Sequence, residues 1–301
     1  MNRGADDQMK SLALGHPEHY DAPWLMGAHK RVRALLARLP WQASEFLIFG
    51  FKQAWACLFG GAMLALIITT KLIWNPSWPI HRYDALLFAA IAIQGLFLAL
   101  KLETWKEAQV IAIFHVVGTA MEIFKTGVGS WAYPEAAFFR IGGVPLFTGF
   151  MYACVGSYIA RVMRIFDMRF ARHPPRWQVW LLALGIYVNF FAHHYLPDAR
   201  LFLFAFAFLI WFRTRIDFAV DIRTYWMPLL VAAFLVSFFI WIAENIGTLT
   251  GTWAYPGVGG WRPVSLQKIG AWYLLIMVSF ALVIIVHPPK PPNEEAPAPQ
   301  K

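Results

Sequence analysis

The stretch YWMPLLVAAFLVSFFIWIAENIGTLTGTWAYPG, Tyr225–Gly257, joins a long apolar run to a glutamate and an aromatic motif. Its segment 225–246 carries a single charged residue, Glu244. A helix needs about 20 predominantly apolar residues to cross the hydrocarbon core of a bilayer, and this segment is long enough. Pro228 is compatible with the first turn of such a helix. The stretch therefore predicts a transmembrane helix that ends just before the motif WAYP.

Apolar runs of this kind recur along the whole chain of 301 residues, which is 59% hydrophobic and only 14% charged. Soluble domains carry about 25% charged residues, so a bilayer is the solvent that this composition fits. The eight predicted spans are 46–70, 84–101, 105–124, 144–164, 177–195, 199–212, 225–246 and 264–286. The predicted fold is an all-α polytopic integral membrane protein with about eight transmembrane helices.

The distribution of basic residues predicts the orientation of these spans. With the N-terminus inside the cell, 18 of the 26 Lys and Arg residues fall on cytoplasmic segments and 7 fall on outer loops. This asymmetry follows the positive-inside rule. We therefore expect a multi-pass protein of the bacterial inner membrane with both termini in the cytoplasm.

Four regions follow from the pattern of spans. Residues 1–45 form a cytoplasmic segment whose part His29–Pro40 fits a basic amphipathic helix on the anionic inner leaflet, or a simple basic flank. Residues 46–164 and 165–286 are the two halves, and residues 287–301 are a proline-rich tail expected to be disordered. The net charge of +9 arises from short clusters between spans, so we expect the bilayer, and no nucleic acid, as partner.

The motif WAYP occurs twice, and each copy begins nine residues after a glutamate. Glu122 precedes the copy at Trp131, and Glu244 precedes the copy at Trp253, an offset of 122 residues. Because each half would hold an even number of spans, the two halves would share one orientation. The sequence thus predicts two parallel four-helix repeats, unlike the inverted repeats of many transporters.

The repeated glutamates are the predicted catalytic residues. Carboxyl groups within a membrane are costly and usually face a bundle interior or a wet cavity. A desolvated carboxylic acid can serve as a proton donor. Around Glu122 and Glu244, the predicted substrate-binding side chains are Trp131, Tyr133, Trp253, Tyr255, His115, His193 and His194. The aromatic residues alone would also fit an interfacial belt of Trp and Tyr.

The histidines define a possible metal site that we do not predict. His193 and His194 are adjacent at the outer end of the fifth span, and successive residues of a helix point about 100° apart. No spacing typical of metal ligands links them to the glutamates. We therefore predict neither a metal nor any other cofactor.

The segments MEIFKTGVGSWAYP (121–134) and IGGVPLFTGFMYACVGSYIAR (141–161) resemble the YoaT-like family of uncharacterised bacterial multi-spanning membrane proteins. The resemblance runs from about Glu45 to Val286 and implies a membrane protein without a stated mechanism. A shorter likeness links the chain to membrane carotenoid hydratases and carotenoid cyclases. Its matched positions are Glu122, Gly129, Trp131, Tyr133, Gly143, Val144, Pro145 and Leu146, and the second half has no second GVPL.

The likeness to the carotenoid enzymes implies an acid that protonates an alkene of an isoprenoid lipid, with aromatic faces that stabilise the cation. Two other functions remain open on the sequence. A small-solute transporter or permease would use the pseudosymmetric centre as a pathway, and a non-catalytic membrane partner protein would retain the repeat for packing. A closed pocket lined by the glutamates and tryptophans would favour the enzyme, and a water-filled pathway to both faces would favour transport.

Overall fold

The structure, a computed structural model, describes residues 39–221, 223–256 and 261–292. Nearly all of the predicted amphipathic helix 29–40 lies outside the described residues. The same holds for most of the predicted disordered tail, 287–301.

The described residues are mostly helical. They form nine helices, α1 Trp41–Ala56, α2 Leu58–Ile73, α3 Arg82–Ala99, α4 Trp105–Gly127, α5 Phe147–Ile165, α6 Arg176–Ala192, α7 Arg200–Trp211, α8 Leu229–Leu249 and α9 Gln267–Val286. The longest, α4, begins with a capping box in which Thr104 and Glu107 satisfy each other's backbone N–H groups.

Four of the described helices, α3, α4, α8 and α9, are long and apolar enough to cross a membrane. The pair α1–α2 would make a fifth span if it counts as one, although its two helices meet at 67°. The membrane character and the helical class predicted from the sequence agree with this result. Neither the eight predicted spans nor the two four-helix repeats are supported by it.

The differences from eight spans have local physical causes. The predicted first span, 46–70, is broken at Cys57. Helix α7 has 12 residues, about 18 Å at the rise of an α-helix, against a core of about 30 Å. Helix α6 has 17 residues, fewer than the about 20 that a span needs. The two charged residues Arg161 and Arg164 make α5 less apolar than the helices that qualify.

Two small antiparallel sheets, which the sequence analysis did not predict, connect the helices. Strands β1 Arg140–Ile141 and β2 Val144–Pro145 form a hairpin whose turn residues, Gly142 and Gly143, both have positive φ. Strands β3 Arg169–Ala171, β4 Arg215–Ala219 and β5 Thr224–Pro228 form a three-stranded sheet in that order. The start of the predicted seventh span, 225–228, is therefore strand, as its alternation of exposed and half-buried side chains suits.

The break between α1 and α2 is stabilised by a side chain of α5. Arg161 of α5 is fully buried and donates to the carbonyl oxygen of Trp55 at 2.9 Å, next to the break. The same guanidinium pairs with the buried carboxylate of Glu103 at 3.4 Å. Because a buried charge needs a partner, this ion pair fixes the broken helix to the α4–α5 core.

Candidate functional site: two buried carboxyls joined by aromatic side chains

The two WAYP segments pair with each other at one end of the helices. Ala132 and Ala254 form an antiparallel bridge, and each N–H donates to the carbonyl oxygen of the other at 3.0 Å. The turns that lead into the segments place Gly129 at φ +71° and Gly251 at φ +64°, a conformation that glycine adopts without strain. The bridge brings side chains that are 122 residues apart in sequence into one site.

Glu122 occupies the centre of the first half of this site. Its side chain is buried, and its two oxygens accept three hydrogen bonds. Trp131 Nε1 and Tyr133 Oη donate to Oε2, both at 2.7 Å, and Tyr152 Oη donates to Oε1 at 2.8 Å. The carboxyl group is thus held by aromatic side chains in a place that the bulk solvent does not reach.

Glu244 has a related environment in the second half. It is also buried, and it accepts hydrogen bonds from the Tyr255 hydroxyl and the Trp272 indole N–H. Glu122 and Glu244 lie near enough to interact electrostatically. The structure therefore brings the two predicted glutamates into one neighbourhood with Trp131, Tyr133 and Tyr255.

Aromatic contacts join the two halves of the site. Trp131, a donor to Glu122, packs edge-to-face against Tyr255, a donor to Glu244, with ring centroids 6.5 Å apart. Tyr152 and Trp272 repeat this connection at 6.5 Å. Each of these two pairs thus joins a donor of Glu122 to a donor of Glu244 through contact between their rings.

The tyrosine hydroxyls of the two loops remain protonated donors. Burial, and then the charge of Glu122, raises the pKa of Tyr133 well above its usual range. Burial, and then the charge of Glu244, raises the pKa of Tyr255 in the same direction. Near neutral pH both groups therefore donate to their glutamates.

Trp253 departs from the predicted equivalence with Trp131. Its ring packs on Gly247, where an added Cβ would lie 1.8 Å from Trp253 Cη2. The ring also joins an apolar cluster that includes Tyr83 and Phe147. Trp272 of α9 supplies the indole hydrogen bond to Glu244 instead. A shared sequence spacing thus led to two different side-chain arrangements.

The predicted histidines do not contact the carboxyls. His115 packs against Gly149 of α5, with a buried Nδ1 that has no hydrogen-bond partner among the described residues. His194 Nε2 lies 2.8 Å from Lys125 Nζ, and His193 Nε2 lies 3.5 Å from the same atom. Within the described part of the chain, no group of three or more His, Cys, Asp or Glu residues is arranged to hold a metal ion.

A narrow crevice between α4, α5 and α9 ends at this site. Its volume is about 30 Å³, which is room for about one water molecule. Tyr152 and Trp272 lie on its wall, and most of its other lining side chains are apolar. The crevice thus meets the carboxyls through the two donors that hold them.

Sequence reasoning missed Tyr152 and Trp272. Tyr152 follows Glu122 by 30 residues and Trp272 follows Glu244 by 28, so neither belongs to the repeated offset. Both lie on helices that were predicted as apolar spans, where an aromatic residue carries no distinguishing signal. Only the packing of α5 and α9 against the site reveals them.

Residues 45–280 match a family described as "Protein of unknown function (DUF817)". The chain belongs to the DUF817 family. The match begins within α1, ends within α9 and includes both carboxyls.

A protein from Bacillus subtilis (strain 168), named Uncharacterized protein YoaT, is 40% identical to this chain over 240 residues. The match covers 79% of this chain and 90% of that protein. The predicted YoaT-like family is thereby confirmed. These findings do not show the likeness to carotenoid hydratases and cyclases, and no solved structure matches the chain.

Proposed function

We propose that this protein is an integral membrane enzyme that protonates an alkene of an isoprenoid-class lipid, with Glu122 and Glu244 as its acids. One observation carries the proposal. An apolar crevice between α4, α5 and α9 ends at Tyr152 and Trp272, which hydrogen-bond to the two buried carboxyls. A nonpolar chain in that crevice would place a carbon–carbon double bond beside a proton donor.

The chemistry balances without a cofactor. The acid O–H bond breaks, a C–H bond forms with the π electrons of the alkene, and a tertiary carbocation results. A water molecule attacks the cation and loses its proton to the carboxylate, which regenerates the acid. The net reaction adds water to the alkene and gives a tertiary alcohol.

Tyr152 is the side chain best placed to deliver the proton. It lines the crevice, and its hydroxyl bonds Glu122 Oε1 at 2.8 Å. In the structure the Tyr152 hydroxyl donates to Glu122, so the relay requires this hydrogen bond to reverse. A protonated Glu122 would donate its proton to Tyr152 Oη while the Tyr152 hydroxyl gives its own proton to the alkene, and the carboxyl would stay behind the aromatic side chains. The faces of Tyr152 and Trp272 would stabilise the cation through their ring quadrupoles.

The test is lipid analysis of cells with and without the protein by mass spectrometry. Wild-type protein is expected to produce a lipid heavier than its precursor by one water. Glu122→Gln and Glu244→Gln keep the side-chain size but supply no proton, so the product should be lost while folding is retained. Asp217→Asn, a change in an exposed pair with Arg215 on β4, is the matched control.

Identical lipids with and without the protein would contradict the enzyme and leave the non-catalytic partner protein. Product formation by both glutamine variants would also contradict it, because neither carboxyl could then be the acid.

Transport of a small solute is the second candidate, and the broken pair α1–α2 favours it, since discontinuous helices form the binding sites of many transporters. Proteoliposomes that contain a pH-sensitive dye separate the two functions. A proton-coupled pathway through the carboxyls would dissipate an imposed pH gradient in the wild type and not in Glu122→Gln. The enzyme should leave the gradient intact in both.

The proposed setting is the bacterial inner membrane with both termini in the cytoplasm. The count of Lys and Arg residues supports that orientation. It places the carboxyls, the WAYP bridge and His193 at the outer face. It places the sheet β3–β5 at the inner face.

A further inference from the structure

Lys125 has an unusual environment at the end of α4. Its side chain is buried, and its ammonium group lies 2.8 Å from His194 Nε2 and 4.2 Å from the Phe190 ring centroid. His193 Nδ1 lies 2.8 Å from the carbonyl oxygen of Asn189 and donates to it. Lys125 is therefore contacted by an imidazole and an aromatic ring rather than by a carboxylate.

The protonation of His194 agrees with this arrangement. Desolvation of the ring, followed by the charge of Lys125, lowers the pKa of His194 below its ordinary value. Near neutral pH the imidazole is therefore uncharged and accepts from the lysine. The positive charge of Lys125 has no ion-pair partner within 4.0 Å among the described residues.

Lys268, near the start of α9, is the second cation of this kind. Its ammonium group lies 4.5 Å from the ring centroid of Tyr255 and 5.8 Å from that of Trp131. The described residues give it no ion pair either. Lys268 thus covers the two aromatic donors that join Glu122 and Glu244.

Lys268 and Arg200 are close enough to repel Lys125, and Arg200 is close enough to repel Lys268. Glu244, when it is ionised, is close enough to attract Lys268. Asp198 compensates one of these charges through its 3.1 Å ion pair with Arg200. If both glutamates carry protons, as the proposed function requires, Glu244 no longer attracts Lys268, and the described residues then offer the remaining two positive charges no compensating anion. This step rests on the proposed function.

The two lysines also stand at the ends of the helix faces that line the crevice. On α4, Met121, Gly118 and Phe114 precede Lys125 at spacings of 4, 7 and 11 residues, so they share its face. On α9, Trp272, Leu275 and Ser279 follow Lys268 at the same spacings. One amphiphilic molecule could therefore contact the lysines and the crevice together.

We propose that Lys125 and Lys268 bind the anionic, phosphate-bearing headgroup of a lipid whose apolar chain occupies the crevice between α4, α5 and α9. Ammonium groups bind phosphate oxygens through charge-assisted hydrogen bonds. The crevice holds about one water as it stands, so the chain enters by parting flexible side chains such as Met121. The substrate of the proposed reaction would then be an isoprenoid lipid with an anionic headgroup rather than a neutral hydrocarbon.

The experiment measures lipid binding by the purified full chain in detergent, through the shift of its thermal unfolding. The probes are phosphatidylglycerol, phosphatidylcholine with the same acyl chains, and inorganic phosphate. We expect phosphatidylglycerol to bind about tenfold more tightly than phosphatidylcholine, because only the former has net negative charge. Equal binding of the two lipids would overturn the proposal, and so would inorganic phosphate binding as tightly as phosphatidylglycerol, which indicates a free-anion site.

Lys268→Gln and Lys125→Gln should each remove most of the preference for phosphatidylglycerol. Lys106→Gln, the same charge change at an exposed position of α4 near its opposite end, should retain it. If Lys125→Gln fails to fold, Lys268→Gln decides alone, and a wild-type preference in that variant overturns the proposal. Lysine-dependent lipid binding without any hydrated product would support the headgroup site and contradict the proposed reaction, so the two failures are distinguishable.

Discussion

At the scale of single residues, three glycines decide how closely α4 and α5 approach. Gly118 lies beneath Tyr152, Gly156 lies beneath Phe114, and Gly149 lies against His115. Small residues at a helix interface let backbones approach closely, which drives packing in a membrane where burial of apolar surface adds little. This close approach allows the Tyr152 hydroxyl to reach Glu122.

Gly149→Ala should destabilise the protein by about 1–3 kcal/mol, because it overpacks this interface. The added Cβ would lie 2.4 Å from His115 Nδ1 and 2.7 Å from the carbonyl oxygen of His115. The second contact is with a backbone atom, so rotation of a side chain cannot relieve it. Thermal unfolding in detergent measures the effect. Gly95→Ala is the control, since nothing lies within 4 Å of its added Cβ and alanine favours a helix. Equal stability of the two variants would contradict the close packing.

At the scale of secondary-structure elements, the break between α1 and α2 depends on a side chain of α5. Arg161 donates to the Trp55 carbonyl oxygen beside the break and pairs with the carboxylate of Glu103, which lies just before α4. Gln94 and Ser157 donate two further hydrogen bonds to Glu103. The bend is therefore stabilised by a buried polar network rather than by the sequence at the break itself.

Arg161→Met should cost about 3–5 kcal/mol, because it leaves the Glu103 charge buried without its ion-pair partner. The double variant Arg161→Met/Glu103→Gln should recover part of that loss, since no uncompensated charge remains. Chemical denaturation of the single and double variants measures both effects.

Arg215→Met, which breaks an exposed pair with Asp217, should cost at most about 1 kcal/mol and serves as the control. A double variant that is no more stable than Arg161→Met would show that the ion pair is not what holds the break.

At the scale of the whole molecule, the WAYP bridge ties together loops that follow α4 and α8. Equivalent residues of the two motifs, Ala132 and Ala254, pair antiparallel, as a local twofold relation would place them. The duplication of four-helix halves remains a prediction. Four or five of the described helices qualify as spans by length and composition.

Reporter fusions test the orientation of the whole chain. A fusion at residue 130, beside the carboxyl site, should report the outer face because the outer loops carry few basic residues. A fusion at residue 170, within β3, should report the cytoplasm. An alkaline phosphatase reporter, active outside, and a fluorescent protein, active inside, measure the two positions. The reverse result would contradict the topology and move the carboxyl site to the inner face.

Composition and short spacings were sufficient to predict the class of this protein and part of its site. The apolar runs predicted a helical membrane protein, and the repeated offset of nine residues placed Trp131 and Tyr133 near Glu122. Residues 122–133 contain the end of α4 and a glycine turn, after which the chain runs back past Glu122. Local backbone geometry is sufficient to bring such neighbours together.

The contacts between helices could not be predicted in this way and follow from how the helices pack. It selected Trp272 rather than Trp253 as the indole donor to Glu244, brought Tyr152 to Glu122, and directed His193 and His194 to Lys125. In a soluble helix the apolar stripe indicates the buried face, but here lipid-facing and interior faces are both apolar. The rotation of each helix is therefore set by close packing and by a few polar contacts, which hydrophobic periodicity does not reveal.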